Sequence, residues 1–241
     1  MATFHITIKS GKKGTAANHA AYIAREGKYS NDEKAKDLVA TGFGNMPDWA
    51  KDKPEIFWKS GDEYERANAA VYREFEVALP SELNTVQQLE LVDAFLERFV
   101  GNKPFQYAVH KPIAAIGKVE QAHLHAMISD RLPDGIERPP EQHFSRFNRA
   151  HPEKGGARKD SGGLDRLTLR NEVVSQREAL AHLTNSMLEK YGHSARVDHR
   201  SHKERGIDVL PERHLGPARV RHMTEEEKEG LLQQRRKGRT D

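Results

Sequence analysis

Apolar and polar positions alternate with a period of two over residues 3–9 (TFHITIK), 71–79 (VYREFEVAL), 104–110 (PFQYAVH) and 122–129 (AHLHAMIS). That pattern is the mark of half-buried strands. A helical period takes over elsewhere. Residues 16–26 are Ala-rich and stop at Gly27, residues 62–70 form a short helix, and residues 85–100 are amphipathic behind two possible N-caps, Ser81 and Asn84. A long helix runs over about 167–191 and ends at Gly192. The connections are a basic GKKG loop at 11–14, a loop-rich stretch at 31–59 carrying both tryptophans, and an irregular stretch at 130–163. Residues 193–215 are short and polar, with a strand expected at 195–198. From Met223 onward the chain is almost wholly charged or polar, a frayed helix or the lead into a further segment. Strands and helices mix without βαβ alternation, which predicts an α+β fold on an antiparallel sheet.

Composition narrows the classes. At 241 residues, 36% hydrophobic and 31% charged, the chain is expected to form one domain, or one domain and a tail, around a single core. It has no cysteine, which excludes disulfides and thiolate metal sites. No apolar run approaches the roughly 20 residues that span a bilayer, and the N-terminus has no signal-peptide core, so the expectation is a cytoplasmic protein without membrane insertion. The net charge of +3 is too small to imply nucleic acid by itself. Its distribution says more, because residues 138–170 hold eight Lys and Arg against four Asp and Glu.

The sharpest chemical signal is His123-Leu124-His125. Side chains alternate along a strand, so the two imidazoles share a face and are able to hold one divalent ion. His110 ends the preceding strand, where antiparallel pairing would bring it beside them. Three neutral imidazoles leave coordination positions open for phosphate oxygens or water. The bland alternative is a set of surface histidines, one chance pairing among 13. Imidazole chemistry suits zinc, nickel, cobalt and manganese alike.

Tyr22 lies in the first helix near Arg25 and Lys28, with Tyr29 as its nearest rival for the same role. A free phenol is only about 0.1% ionised at pH 7, so a nucleophilic tyrosine needs activation by a metal or a base. The alternative is a tyrosine packed into the core. Glu74 and Glu76 share one face of the 71–79 strand. One would orient a metal-bound histidine and the other would take the phenol proton, unless that face is simply solvated.

Several ordered stretches resemble the MobA/MobL family of plasmid mobilisation relaxases, within the HUH endonuclease superfamily. They are FHITIKSG, AAYIAREGKYS, YREFEVALP, AVH, HLHAMISDRLPDGIERP, PEKGGARK, ARVDHR and LPERHLGP, spread from residue 1 to about 217. The resemblance implies a five-stranded antiparallel sheet flanked by helices, a relaxase domain over 1–217 and a charged tail over 218–241. It implies Tyr22 as nucleophile, His110, His123 and His125 as metal ligands, and Glu74 and Glu76 as acidic positions beside them. Manganese or magnesium is the ion it implies. The loop between His110 and His123 lacks the usual Gly-rich run of the family, and family members often carry further C-terminal parts.

The activity implied is strand-specific nicking of single-stranded DNA at a plasmid origin of transfer through a 5′-phosphotyrosyl intermediate, followed by rejoining. Partners implied are that DNA, accessory mobilisation proteins and a type IV secretion coupling protein. Backbone contacts are expected from Lys12, Lys13, Arg25, Lys154, Arg158 and Lys159, with Arg196 and Arg200 in ARVDHR. Phe144, Phe147 and Trp49 are candidate base-stacking rings, and PEKGGARK is expected to order only on DNA. The alternatives are a rolling-circle replication initiator or HUH transposase, a non-catalytic single-strand-binding protein, and a hydrolase using activated water.

Overall fold

A computed structural model describes residues 4–30, 33–208 and 215–237. Five strands form one antiparallel sheet in the order β1-β3-β5-β4-β2. They are β1 (Ile6–Lys12), β2 (Leu38–Gly44), β3 (Ala70–Ala78), β4 (Phe105–His110) and β5 (His123–Ser129). Helices α1 (Ala16–Ala24), α2 (Pro54–Tyr64), α3 (Thr85–Val100), α4 (Pro140–His143), α5 (Arg166–Lys190), α6 (Gly216–His222) and α7 (Glu225–Lys237) complete the chain. This is the α+β architecture that the alternation predicts.

The two sheet faces differ. One is apolar: Phe75, Val77, Val109, Leu124, Ala126 and Ile128 pack against Leu91, Val92 and Phe95 of α3 and Leu180 and Leu188 of α5. A buried Leu or Phe contributes roughly 1.5–3 kcal/mol, so this layer is the main source of stability. The Asn84–Gln87 capping box starts α3 with both reciprocal hydrogen bonds formed. On the other face α1 and α2 cover only part of the sheet, where Ala20, Ile23, Phe57 and Trp58 pack on Tyr72, Ala108 and Met127. The rest of that face carries polar side chains.

Three expectations give way. The fifth strand is β2, inside the stretch expected to be loop, and residues 195–198 form no strand. Glycines dilute the alternation of LVATGFG. They are needed because a Cβ at Gly42 or Gly44 would meet the rings of Tyr107 and Phe105 across the ladder at 2.8 and 2.6 Å. Val197 does reach the core, but its backbone pairs with the Asn185 side-chain amide in place of a strand, at 2.8 and 2.9 Å. Of the short helix expected at 62–70 only 62–64 are helical, as the end of α2, which starts at Pro54; residues 65–69 are a turn and Ala70 opens β3.

PEKGGARK is packed into the fold. Gly155, Gly156 and Ala157 are buried, Arg138 donates to Gly155 O at 2.8 Å, and Arg131 donates to Ala157 O at 2.5 Å. Residues 210–214 of the LPERHLGP stretch lie outside the described residues, and α6 straddles the expected boundary at 217. Among the described residues no helix is long and apolar enough to cross a membrane.

Candidate metal centre and active site

Register builds the site. His110 faces His123 across β4 and β5, and Glu76 faces His125 across β3 and β5. All four side chains, with Glu74 two residues along, therefore share the half-covered face. The three imidazole rings lie 4.9 Å (His123–His125), 5.4 Å (His110–His125) and 5.7 Å (His110–His123) apart, centroid to centroid. Rings on one tetrahedral ion with metal–nitrogen bonds of about 2.1 Å have centroids about 5 Å apart. The trio is thus near that spacing, although among the described residues no group of three or more His, Cys, Asp or Glu is arranged to hold a metal ion as it stands.

Each ring is anchored through Nδ1. His125 Nδ1 bonds Glu74 Oε1 at 2.8 Å, His110 Nδ1 bonds Asp37 Oδ1 at 2.9 Å, and His123 Nδ1 bonds Gln121 O at 3.0 Å. Anionic and carbonyl oxygens only accept, so each of these nitrogens carries the proton and each Nε2 is left with its lone pair. His110 Nε2 is buried with no partner, an orphan that a metal ion would satisfy. Burial lowers the pKa of His110 and of His123, keeping both rings in the neutral, ligating form. This donor set fits a divalent ion with a hydrogen-bonded outer shell.

The carboxylates do different work from each other. Glu74 is buried, which by itself would raise its carboxyl, but hydrogen bonds from His125 and His19 bring it down to about 2. It is a fixed acceptor. Glu76 is bound by Lys9 at 2.6 Å, and that bond lowers its pKa against the opposing effect of burial.

Tyr22 projects from α1. Asp62 of α2 caps the start of that helix, taking the N–H groups of Gly14, Ala16 and Ala17 at 2.7–2.9 Å. Three neighbours frame the half-buried Tyr22 ring. His19, one turn earlier, is near-parallel at 6.3 Å, Tyr29 meets it edge-on at 5.3 Å, and the Arg25 guanidinium lies 4.8 Å from its centre. His19 Nε2 in turn bonds Glu74 Oε1 at 2.9 Å, and Arg25 makes a forked bond to Asp37 at 3.1 and 3.2 Å. Two chains of contacts therefore join Tyr22 to the histidines: His19–Glu74–His125 and Arg25–Asp37–His110.

His19 and Asp37 escape a reading of the sequence alone. His19 had a faint signal, three residues before Tyr22 on one helix face. Asp37 had none, since it precedes a strand that glycines disguise. Of the residues expected to touch DNA, Lys12, Lys154, Arg158, Arg196 and Arg200 are exposed and Lys13 is half-buried. Arg25 is buried and spent on Asp37. Lys159 is half-buried between Glu65, at 3.2 Å, and the Ala70 carbonyl. Arg200 is paired with Asp198 at 2.8 Å, and Arg196 donates to His193 O and Ala195 O. Phe144 is fully buried and Trp49 stacks on Phe57 at 5.7 Å, so core packing claims both rings.

The chain is similar to known proteins along most of its length. The chain is 47% identical over 209 residues to the 43 kDa relaxation protein of Salmonella typhimurium, covering 86% of this chain and 56% of that protein. It is 40% identical over 222 residues to mobilization protein A of Escherichia coli, covering 90% of this chain and 30% of that protein. It thus spans about half the length, or less, of these relatives. A structure solved for the molecular basis of vancomycin resistance transfer in Staphylococcus aureus superposes with a TM-score of 0.60 at 22% identity, over 83% of this chain and 99% of that one. That likeness establishes the shared fold. The MobA/MobL family profile itself matches residues 14–225, and the chain belongs to that family.

Proposed function

We propose that this chain nicks and rejoins one strand of plasmid DNA, single-stranded at an origin of transfer, by tyrosine transesterification. One observation carries the reading: three imidazoles with anchored Nδ1 and open Nε2 atoms stand on the same face as Tyr22 and are joined to it by two chains of contacts. The names of the relatives, a relaxation protein and a mobilization protein, support the same direction.

In this reading the Tyr22 oxygen attacks the scissile phosphorus. The bond from phosphorus to the 3′ oxygen breaks, and the strand's 5′ end stays on the protein as a phosphotyrosine. The phenol proton passes to the His19–Glu74 pair, in which Glu74 fixes the imidazole tautomer as the carboxylate of a triad does. The leaving 3′ oxygen takes up a proton. One phosphodiester replaces another, so the reverse reaction rejoins the strand without ATP. His110, His123 and His125 would hold a divalent ion, whose chemistry is to neutralise charge developing on the phosphate. Manganese and magnesium are the ions favoured by the family resemblance. Lys12, Lys13, Lys154 and Arg158 are the backbone contacts we propose, and accessory mobilisation proteins and a type IV coupling protein are the proposed partners.

Incubation with a single-stranded origin oligonucleotide and Mn²⁺ tests the proposal. A covalent adduct resolved by denaturing electrophoresis is expected. It should disappear with chelator or with Tyr22→Phe and persist with Tyr29→Phe. Release of free 5′-phosphate without an adduct would replace the phosphotyrosine with activated water.

A further inference from the structure

The strands carry the histidines at one end, where Leu38 faces His110. At the opposite end, where Gly44 faces Phe105, the chain forms a separate open cavity of about 820 Å³. Residues 45–49 after β2, residues 102 and 104 before β4, and residues 131–139 after β5 wall it, together with His143 of α4. Its walls are apolar in large part, with Met46, Leu132 and Ile136 among them. The cavity is preformed. Arg138 grips Asp134 at 2.7 and 2.8 Å together with the carbonyls of Gly155 and Pro152, and Arg131 grips Glu65 at 2.7 Å together with three more carbonyls.

Two features say what such a cavity takes. Trp49 Nε1 and His143 Nε2 are both buried without a hydrogen-bond partner, on rings in edge contact at 5.9 Å. Burial and the nearby Arg131 and Arg138 push the His143 pKa down to about 4, so its ring is neutral at physiological pH. Neither nitrogen has accessible surface in this structure, so this pair, an indole N–H beside an imidazole nitrogen, meets the C=O and N–H of a backbone amide only once the two rings turn toward an occupant. Unpaired groups of this kind are costly to leave buried.

Charge gives the second feature. Both arginines of the wall are committed internally, whereas Asp48 and Glu137 are exposed and have no ion-pair partner among the described residues. The unneutralised charge at the rim is negative, on a chain whose net charge is +3. That sign repels phosphate and attracts a cation.

We propose that this cavity docks a segment of a protein partner, an apolar side chain flanked by lysine or arginine, with its backbone amide pairing to Trp49 and His143. The site is remote from the histidines, and the proposal stands apart from the nicking reading.

The chain has only two tryptophans, and the other indole N–H, that of Trp58, is bonded to Gln106 Oε1 at 2.8 Å in the core. Trp49 and Trp58 therefore provide a reporter and an internal reference in a ¹⁵N–¹H spectrum of the full chain. Peptides of random sequence displayed on phage are selected on the full chain, with counter-selection on D48K/E137K. The expected winners carry Lys or Arg beside an apolar residue. A synthetic copy should move the Trp49 indole resonance and leave that of Trp58 in place, and D48K/E137K should bind it about 10-fold or more weakly. The variant should keep the wild-type melting temperature. The proposal is overturned if no peptide is selected, if the winners lack cationic residues, or if the Trp49 resonance answers oligo(dT) or dilution of the chain instead of the peptide.

Discussion

His19 and His125 donate to the same oxygen, Oε1 of Glu74, one from α1 and the other from β5. A single buried oxygen therefore ties the helix that carries Tyr22 to the strand that carries the His-Leu-His motif. Replacing it tests whether the tie matters. Glu74→Gln keeps the shape but loses the charge that fixes both imidazole tautomers. Affinity for Mn²⁺ should fall roughly 10–100-fold by calorimetry, and the fold should lose about 1–3 kcal/mol in a denaturant titration. Unchanged affinity would mean that Glu74 does not orient the ligand set.

Asp37 makes the equivalent tie on the other side, between Arg25 and His110. Asp37→Asn should weaken both metal binding and adduct formation. Arg25→Lys keeps a cation beside Asp37 but loses the forked bond to it and the planar guanidinium over the Tyr22 ring. It is expected to slow adduct formation about 10-fold or more while leaving Mn²⁺ affinity within a few-fold of wild type. Equal losses in both assays would show that the two arms do not separate.

Lys159 distinguishes a structural lysine from a DNA-contacting one. It is wedged against Glu65, which is itself bonded to the buried Arg131. Removing one partner of a buried ionic group typically costs about 3–5 kcal/mol, less where, as here, a second cation remains. Lys159→Ala should therefore lower the melting temperature and leave the salt dependence of oligonucleotide binding unchanged. Lys12→Ala with Lys13→Ala should do the reverse, reducing the slope of log affinity against log salt by roughly 0.7 per lysine.

His143 predicts an acid limit. Its pKa is held at about 4 by burial and two arginines, against 6.5 for an ordinary imidazole. Between those values the unfolded chain binds a proton that the folded chain refuses. Stability is accordingly flat above about pH 6.5 on this account and declines as pH falls toward 4. The contribution is roughly 1–3 kcal/mol. His143→Gln cannot titrate, and chemical denaturation at pH 4.5 and 7.5 should show a smaller difference for it than for the wild type.

Local pattern determined a good deal. The strands β1, β3, β4 and β5, the capped helix α3 and the long helix α5 follow from periods of two and 3.6 that short-range chemistry imposes. The shared face of His123 and His125 follows from strand geometry alone, and the stretch around AAYIAREGKYS supplied the likeness to a family. What local pattern could not determine was who meets whom. β2 is a strand because Tyr107 and Phe105 cover its glycines from the neighbouring strand, a fact absent from LVATGFG. His19 and Asp37 become partners of the site only when α1 and β2 are brought to the sheet. Lys159 and Arg25 look like free cations in one dimension and are claimed by Glu65 and Asp37 in three. A charge reads as solvated until its neighbours are known, and those neighbours lie 12 to 94 positions away, fixed by register and packing and not by the segment itself.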